Sequence, residues 1–173
     1  MRSDNRKDNE RRELHVLKDV QEQSDGSCLI SLGNTKVLCA VRFGSKVPLF
    51  LRGTGEGWIT AEYSMLPGST NTRTNRNNIN SGRTKEIQRL IGRSIRSAID
   101  LAQIGENTLL IDCDVINADG GTRTAAITGS FIALNNAIKK LQLKKILSNN
   151  IKINPVAAIS VGLMKNNIIL DLN

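Results

Sequence analysis

A chain of 173 residues, 39% of them apolar, is long enough for one domain with a buried core and too apolar to stay unfolded; aromatics are only 3%, so the core has to be aliphatic. The 24 Lys and Arg against 16 Asp and Glu leave a formal charge of +8, which suits a polyanionic partner such as nucleic acid and equally fits compositional drift toward Lys and Asn. Three cysteines with no CxxC pair and a single histidine argue against a zinc site, and no apolar run approaches the ~20 residues of a membrane span.

Residues 1–12 (MRSDNRKDNERR) read as a charged arm without apolar periodicity and not as a signal peptide, so the protein is expected in the cytoplasm with no membrane partner. His15 is expected at the surface of that arm. Residues 27–32 (SCLISL) and 35–43 (TKVLCAVRF) are β-rich runs around Gly33-Asn34, the pattern of a hairpin with a tight turn. Cys39 and Cys113 sit inside apolar runs, where small buried thiols are expected.

Residues 58–63 (WITAEY) fit a short strand. From Tyr63 through Lys85 there is no acidic residue, while Arg73, Arg76, Arg83 and Lys85 fall among Gly, Ser, Thr and Asn, including Asn75, Asn77, Asn78 and Asn80. This is a polar, positively charged loop, whose Arg73 and Arg76 either contact an RNA backbone or are simply solvated. Ile87, Leu90, Ile91, Ile95, Ala98 and Ile99 then repeat at helical spacing, with Gly105 as a stop. Residues 108–116 (TLLIDCDVI) carry apolar residues on both faces, as a central strand does. After a tight NADGG loop a second helix runs from about Thr122 to Leu141, burying Ala126, Ile127, Phe131, Leu134 and Ile138 and ending near Lys139 and Lys140. Residues 156–164 and 168–172 form a second hairpin about a turn at 165–167. This order of elements predicts an α+β chain with helices packed on a mixed sheet.

The most informative local pattern is strand, Gly-rich loop, helix: TLLIDCDVI, NADGG, TRTAAITG. Gly120 and Gly121 let the backbone take positive φ and approach a ligand, and the N–H groups of a helix start attract an anion. Thr122 adds a hydroxyl and Arg123 a planar, permanently charged fork suited to phosphate. Ser81-Gly82-Arg83-Thr84 precedes the first helix in the same way, so two arginines at two helix starts converge on one phosphate; otherwise each is a capped turn with a solvated arginine. Asp119 is expected to cap the second helix. Asp112 and Asp114 share one strand face and are candidates for metal or acid/base work. The pattern is neither a P-loop nor GxGxxG, and one histidine in a charged arm cannot serve a catalytic triad.

These segments resemble the ribonuclease PH family: GNTKVLCA (33–40), VPLFLRG (47–53), GWITAEYSMLP (57–67), GRTKEIQRLIGR (82–93), IDCDVINADGGTRTAAITG (111–129) and AAISVG (157–162), together with the opening MRSDNR. The resemblance implies a ribosomal protein S5 domain 2-like fold spanning residues 1–173 as one domain with C-terminal elements missing. It also implies a phosphate-dependent 3′→5′ exoribonuclease, a tRNA nucleotidyltransferase that trims tRNA precursors and rRNA and releases nucleoside diphosphates. Inorganic phosphate would be the co-substrate, held at the positions of Arg83, Gly121, Thr122 and Arg123. Arg73 and Arg76 would hold RNA, and the assembly would be a homo-oligomeric, hexameric ring of dimers.

Three departures bear on that expectation. Gly68 stands where the family often has arginine. The loop between Arg76 and Gly82 looks short. The aspartates that bind Mg²⁺ and support catalysis in the family fall beyond Asn173, so the catalytic residues stay unassigned and no metal ligand is expected in this chain. The alternative reading is a truncated, catalytically inactive RNA-binding or ring-forming member.

Overall fold

The computed structural model describes residues 4–77 and 81–172. Strands β1 (Leu14–Lys18), β2 (Gly26–Leu32), β3 (Thr35–Gly44), β4 (Trp58–Met65) and β5 (Thr108–Asn117) form one mixed sheet in the order β1-β2-β3-β5-β4. Neighbours are antiparallel except β4 and β5, which run parallel. Helices α1 (Gly82–Arg96) and α2 (Thr122–Leu143) cover one face, and β6 (Val161–Met164) pairs with β7 (Asn167–Leu170) in a separate hairpin. This is the predicted α+β arrangement.

Strand alternation decides which side chains meet the helices. Ile30, Val37, Cys39, Ile59, Leu109 and Ile111 point into the core, while Lys36, Arg42, Glu62 and Asp112 stay exposed on the opposite face. The expectation that β5 is interior holds, since it lies between β3 and β4. Its second face is not covered, however: Leu110 is 41% exposed and Ile116 38%.

Helix α1 buries Ile87, Ile91 and Ile95, one residue per turn, but Leu90 faces outward. The helix stops at Arg96, well short of Gly105. The apolar residues that prolong its spacing do other work: Ile99 forms an isolated antiparallel bridge with Ile153. Gly105, at φ 58°, instead ends a short 3₁₀ turn (Leu101–Ile104) capped by Asp100.

Helix α2 lies close against the sheet. A Cβ at Gly129 would sit 2.7 Å from Cys39 Sγ and 2.8 Å from Ile30 Cγ2, so no larger residue fits without pushing helix and sheet apart. Beneath it Cys28, Cys39 and Cys113 stand side by side on β2, β3 and β5, all buried and free. Gly129→Val is therefore expected to cost about 2–3 kcal/mol by overpacking, read as a lowered denaturant midpoint. An unchanged midpoint would mean that α2 stands further off the sheet.

Two segments differ from the sequence expectation. Leu14–Lys18 form β1 where no strand was predicted. Its burial is poor, and it is held by the ladder to β2 rather than by an apolar face. His15 is exposed, as expected, on this strand beside Glu13. The C-terminal hairpin is shorter than the run 156–164 implies: Ala158 N donates to Thr128 Oγ1 on α2 at 3.1 Å, and pairing starts only at Val161. Its turn is Lys165-Asn166, both at positive φ, the two-residue form that matches strand twist.

Candidate functional site

The loop 117–121 delivers the chain from β5 into α2, and the neighbouring hairpin turn holds it. Asp119 N donates to Thr35 Oγ1 at 3.0 Å, and that hydroxyl donates to Gly120 O at 2.6 Å. Asn34 Nδ2 donates to the Asp119 carboxylate at 3.2 Å. Asp119 thus faces the β2–β3 turn and does not cap α2, contrary to expectation. The N-cap is Gly121, in the left-handed region at φ 68°, ψ 21°, and no side chain accepts a hydrogen bond there. The first-turn N–H groups of α2 are left for an external acceptor, where the helix dipole favours negative charge.

The start of α1 is different. Ser81 Oγ accepts from Thr84 N at 3.2 Å, so this helix, unlike α2, has a side-chain cap.

One of the expected phosphate residues, Thr122, is bonded to Tyr63, which the sequence did not single out. Its buried hydroxyl donates to Thr122 Oγ1 at 3.0 Å. Thr122 thereby accepts from the phenol and keeps its own proton to donate. Burial pushes the Tyr63 phenol above its ordinary pKa, opposed by the Thr122 hydrogen bond and the positive charges of Arg83 and Arg123. Arg123 Nη2 makes a 2.7 Å ion pair with Glu86 Oε2 on α1, which ties the two helix starts together. The Nε of Arg123 is buried and accepted by no group among the described residues. It is a spare donor beside the uncapped amides.

Arg76 and Arg83 line a pocket of about 80 Å³ with Ser64, Thr74, Ser81 and Thr84. Arg73 is exposed on the same loop but outside that lining. Asn78 and Asn80, part of the acid-free loop and of the short stretch between Arg76 and Gly82, lie outside the described residues, as does the opening MRS.

A second residue missed by sequence reading is Arg12. Its Nη1 donates to Asp119 O and its Nη2 to Gly120 O at 3.4 Å, while its other donors hold Asp171. Nothing local in the sequence announces this contact, because it joins the arm to a loop more than a hundred residues away.

Asp112 and Asp114 do share the open face of β5, next to Glu62 and Ser64 on β4. Ser64 Oγ donates to Asp114, and Gln88 donates to Glu62. Partial burial, with repulsion from Asp114 and Glu62, raises the Asp112 carboxyl above its ordinary pKa. Among the described residues, however, no three His, Cys, Asp or Glu side chains converge as a metal site. No helix among the described residues is long and apolar enough to cross a membrane.

Comparison with known proteins places this chain in a family. Residues 10–140 match the model of the 3′ exoribonuclease family, domain 1. Ribonuclease PH of Bdellovibrio bacteriovorus is 53% identical over 174 residues, covering 100% of this chain and 72% of that protein. Among solved structures, rice (Oryza sativa) Rrp46 superposes with a TM-score of 0.77 at 21% identity, covering 98% of this chain and 72% of that one. The Archaeoglobus fulgidus exosome with RNA bound to the active site gives 0.77 at 21%, over 99% of this chain and 70% of that chain. At that identity these two establish the fold, an RNase PH-like α+β architecture. With a family model matched over residues 10–140 and a relative 53% identical along the whole of this chain, the chain belongs to the ribonuclease PH branch of the 3′ exoribonuclease family.

Proposed function

We propose that this chain is a phosphate-dependent 3′→5′ exoribonuclease that trims the 3′ ends of tRNA precursors and rRNA in the cytoplasm. The observation that carries the reading is the uncapped start of α2 at Gly121, with Thr122 bonded to Tyr63 and Arg123 tied through Glu86 to the start of α1, where Arg83 stands. Gly121 and Thr122 supply backbone and hydroxyl donors to inorganic phosphate, while Arg83 and Arg123 supply charge. Arg73 and Arg76 hold the RNA backbone leading to the 3′ end. A phosphate oxygen attacks the terminal phosphodiester phosphorus and the bond to the penultimate 3′-oxygen breaks. That oxygen takes up a proton, and the terminal nucleotide leaves as a nucleoside diphosphate.

Catalysis of this kind needs position and charge neutralisation more than a covalent nucleophile, which agrees with a site made of arginines, amides and hydroxyls. Glu86 keeps the Arg123 guanidinium oriented and is displaced from it in part as phosphate binds. The reading treats residues 1–173 as one domain and extends to a homo-oligomeric ring of dimers, hexameric in total.

Binding tests the two halves separately. Inorganic phosphate titrated into the chain is expected to bind saturably, and no saturable binding would contradict the phosphate half. Replacing Arg73 and Arg76 together by Ala is expected to flatten the dependence of single-stranded RNA affinity on log salt by about 1.4, that is ~0.7 for each phosphate no longer neutralised. An unchanged slope would make the loop a bystander.

A further inference from the structure

Arg12 is the most enclosed cation in the molecule's described part, and its contacts divide into two sets. Toward the C-terminal hairpin, its backbone N and Nε donate to Asp171 Oδ2 at 2.8 and 2.9 Å, and Nη2 donates to Oδ1 at 2.8 Å. Asp171 is fully buried and Arg12 only 7% exposed. Two side-chain contacts and one backbone contact on one carboxylate fix the plane of the guanidinium, as a bidentate pair does. Toward the β5–α2 loop, the far edge of that plane donates to the carbonyls of Asp119 and Gly120. Nη2 also packs against Gly121, where a Cβ would come within 3.0 Å of it.

The consequence follows from peptide planarity. In a trans peptide the C=O of one residue and the N–H of the next point in opposite directions. Pinning the Asp119 and Gly120 carbonyls toward Arg12 therefore turns the Gly120 and Gly121 N–H groups away from it. The Thr35 hydroxyl, which also donates to Gly120 O, fixes the same peptide from a second side. Glycines offer no side chain to hold this conformation, so the contacts from outside the loop have to do it.

We propose that Arg12 is a positioning residue of the phosphate site: a buried strut, locked by Asp171, that sets the backbone of residues 119–121 and so aims the amides at the start of α2. It does not touch phosphate itself, because its donors are already directed to Asp171 and to the two carbonyls. The proposal rests on the phosphate reading given above. It also links the C-terminal hairpin to that site, since Asp171 follows directly on β7 and its N–H donates to Ser160 O at 2.7 Å.

The test compares Arg12→Gln, Asp171→Asn and Arg123→Ala in the full chain, by calorimetric titration with inorganic phosphate and by RNA affinity measured without phosphate. Arg12→Gln is expected to weaken phosphate binding about tenfold, through misplaced amides, with RNA affinity within about twofold of the parent. Asp171 still has Arg6 at 2.9 Å in that variant, so its charge is not stranded. Asp171→Asn keeps one acceptor for Arg12 and is expected to fall between parent and Arg12→Gln, about threefold weaker. Phosphate affinity unchanged in a folded Arg12→Gln variant would overturn the proposal, as would equal losses for phosphate and RNA. Should Arg12→Gln not fold, Asp171→Asn decides, and undiminished phosphate binding there overturns it. Arg123→Ala separates the two levels: if it too leaves phosphate binding intact, the phosphate site itself is wrong. If it abolishes binding while Arg12→Gln does not, only the strut is.

Discussion

Arg123→Ala is expected to weaken inorganic phosphate binding by about a hundredfold or more, while RNA affinity in the absence of phosphate changes by less than about threefold. The guanidinium stands at the first turn of α2, beside amides that no side chain caps, and is paired with Glu86 at 2.7 Å. Removing it takes away a charge and a fork of donors. It also leaves the Glu86 carboxylate facing the anion site without its partner, so repulsion adds to the missing attraction. RNA contacts carried by Arg73 and Arg76 lie on a different loop and survive. Calorimetry with phosphate and a filter-binding assay with RNA read the two effects independently, and equal losses would sink the division of labour between them.

Asp171→Ala is expected to cost about 3–5 kcal/mol of stability at neutral pH, because it strands the buried Arg12 without its anion. Burial by itself would raise the Asp171 pKa. Hydrogen bonds from the Arg12 side chain and backbone, with the charges of Arg12 and Arg6, outweigh it and bring the carboxyl down to about 2. A group whose folded pKa is depressed stabilises above its unfolded value and loses that contribution as pH falls through the folded one. Here about 2 kcal/mol is present above pH ~4 and is gone below pH ~2. Acid denaturation of the parent should therefore steepen across that window, and the same limb should be flatter in Asp171→Ala. A variant as stable as the parent at pH 7, with the same acid limb, would show that the pair is not formed.

Much of the fold was legible because it is written in short-range periodicity. The β-rich runs 27–32 and 35–43 around a tight turn, the apolar run 108–116, and the helical spacing of Ile87, Ile91 and Ile95 translate directly into β2, β3, β5 and α1. What failed was the end of α1: Ala98 and Ile99 continue the helical spacing, yet Ile99 is used by a bridge to Ile153, a partner that local pattern cannot show. Strand β1 was invisible because its side chains are mostly exposed and carry no inward set.

The site divides the same way. Gly121, Thr122, Arg123 and Arg83 could be read from glycine, hydroxyl and arginine at helix starts. Glu86 could not, because it acts through a contact between elements far apart in the chain, and Tyr63 was passed over. The alternation of Ile59, Ala61 and Tyr63 marks an inward-facing phenol, which needs a hydroxyl partner, and that signal was available. Arg12 looked like one more charge in a solvated arm. Only the fold shows that its partner is Asp171 at the other end of the chain, and that Asp119 is engaged by the β2–β3 turn rather than by α2.

The most direct test of the whole account is the identity of the product released from an RNA with a short 3′ extension, incubated with this chain, Mg²⁺ and inorganic phosphate. The account predicts nucleoside diphosphates, in amounts that rise with phosphate concentration and vanish when phosphate is withheld. Nucleoside monophosphates formed without regard to phosphate, or RNA that is bound and never shortened, would contradict it.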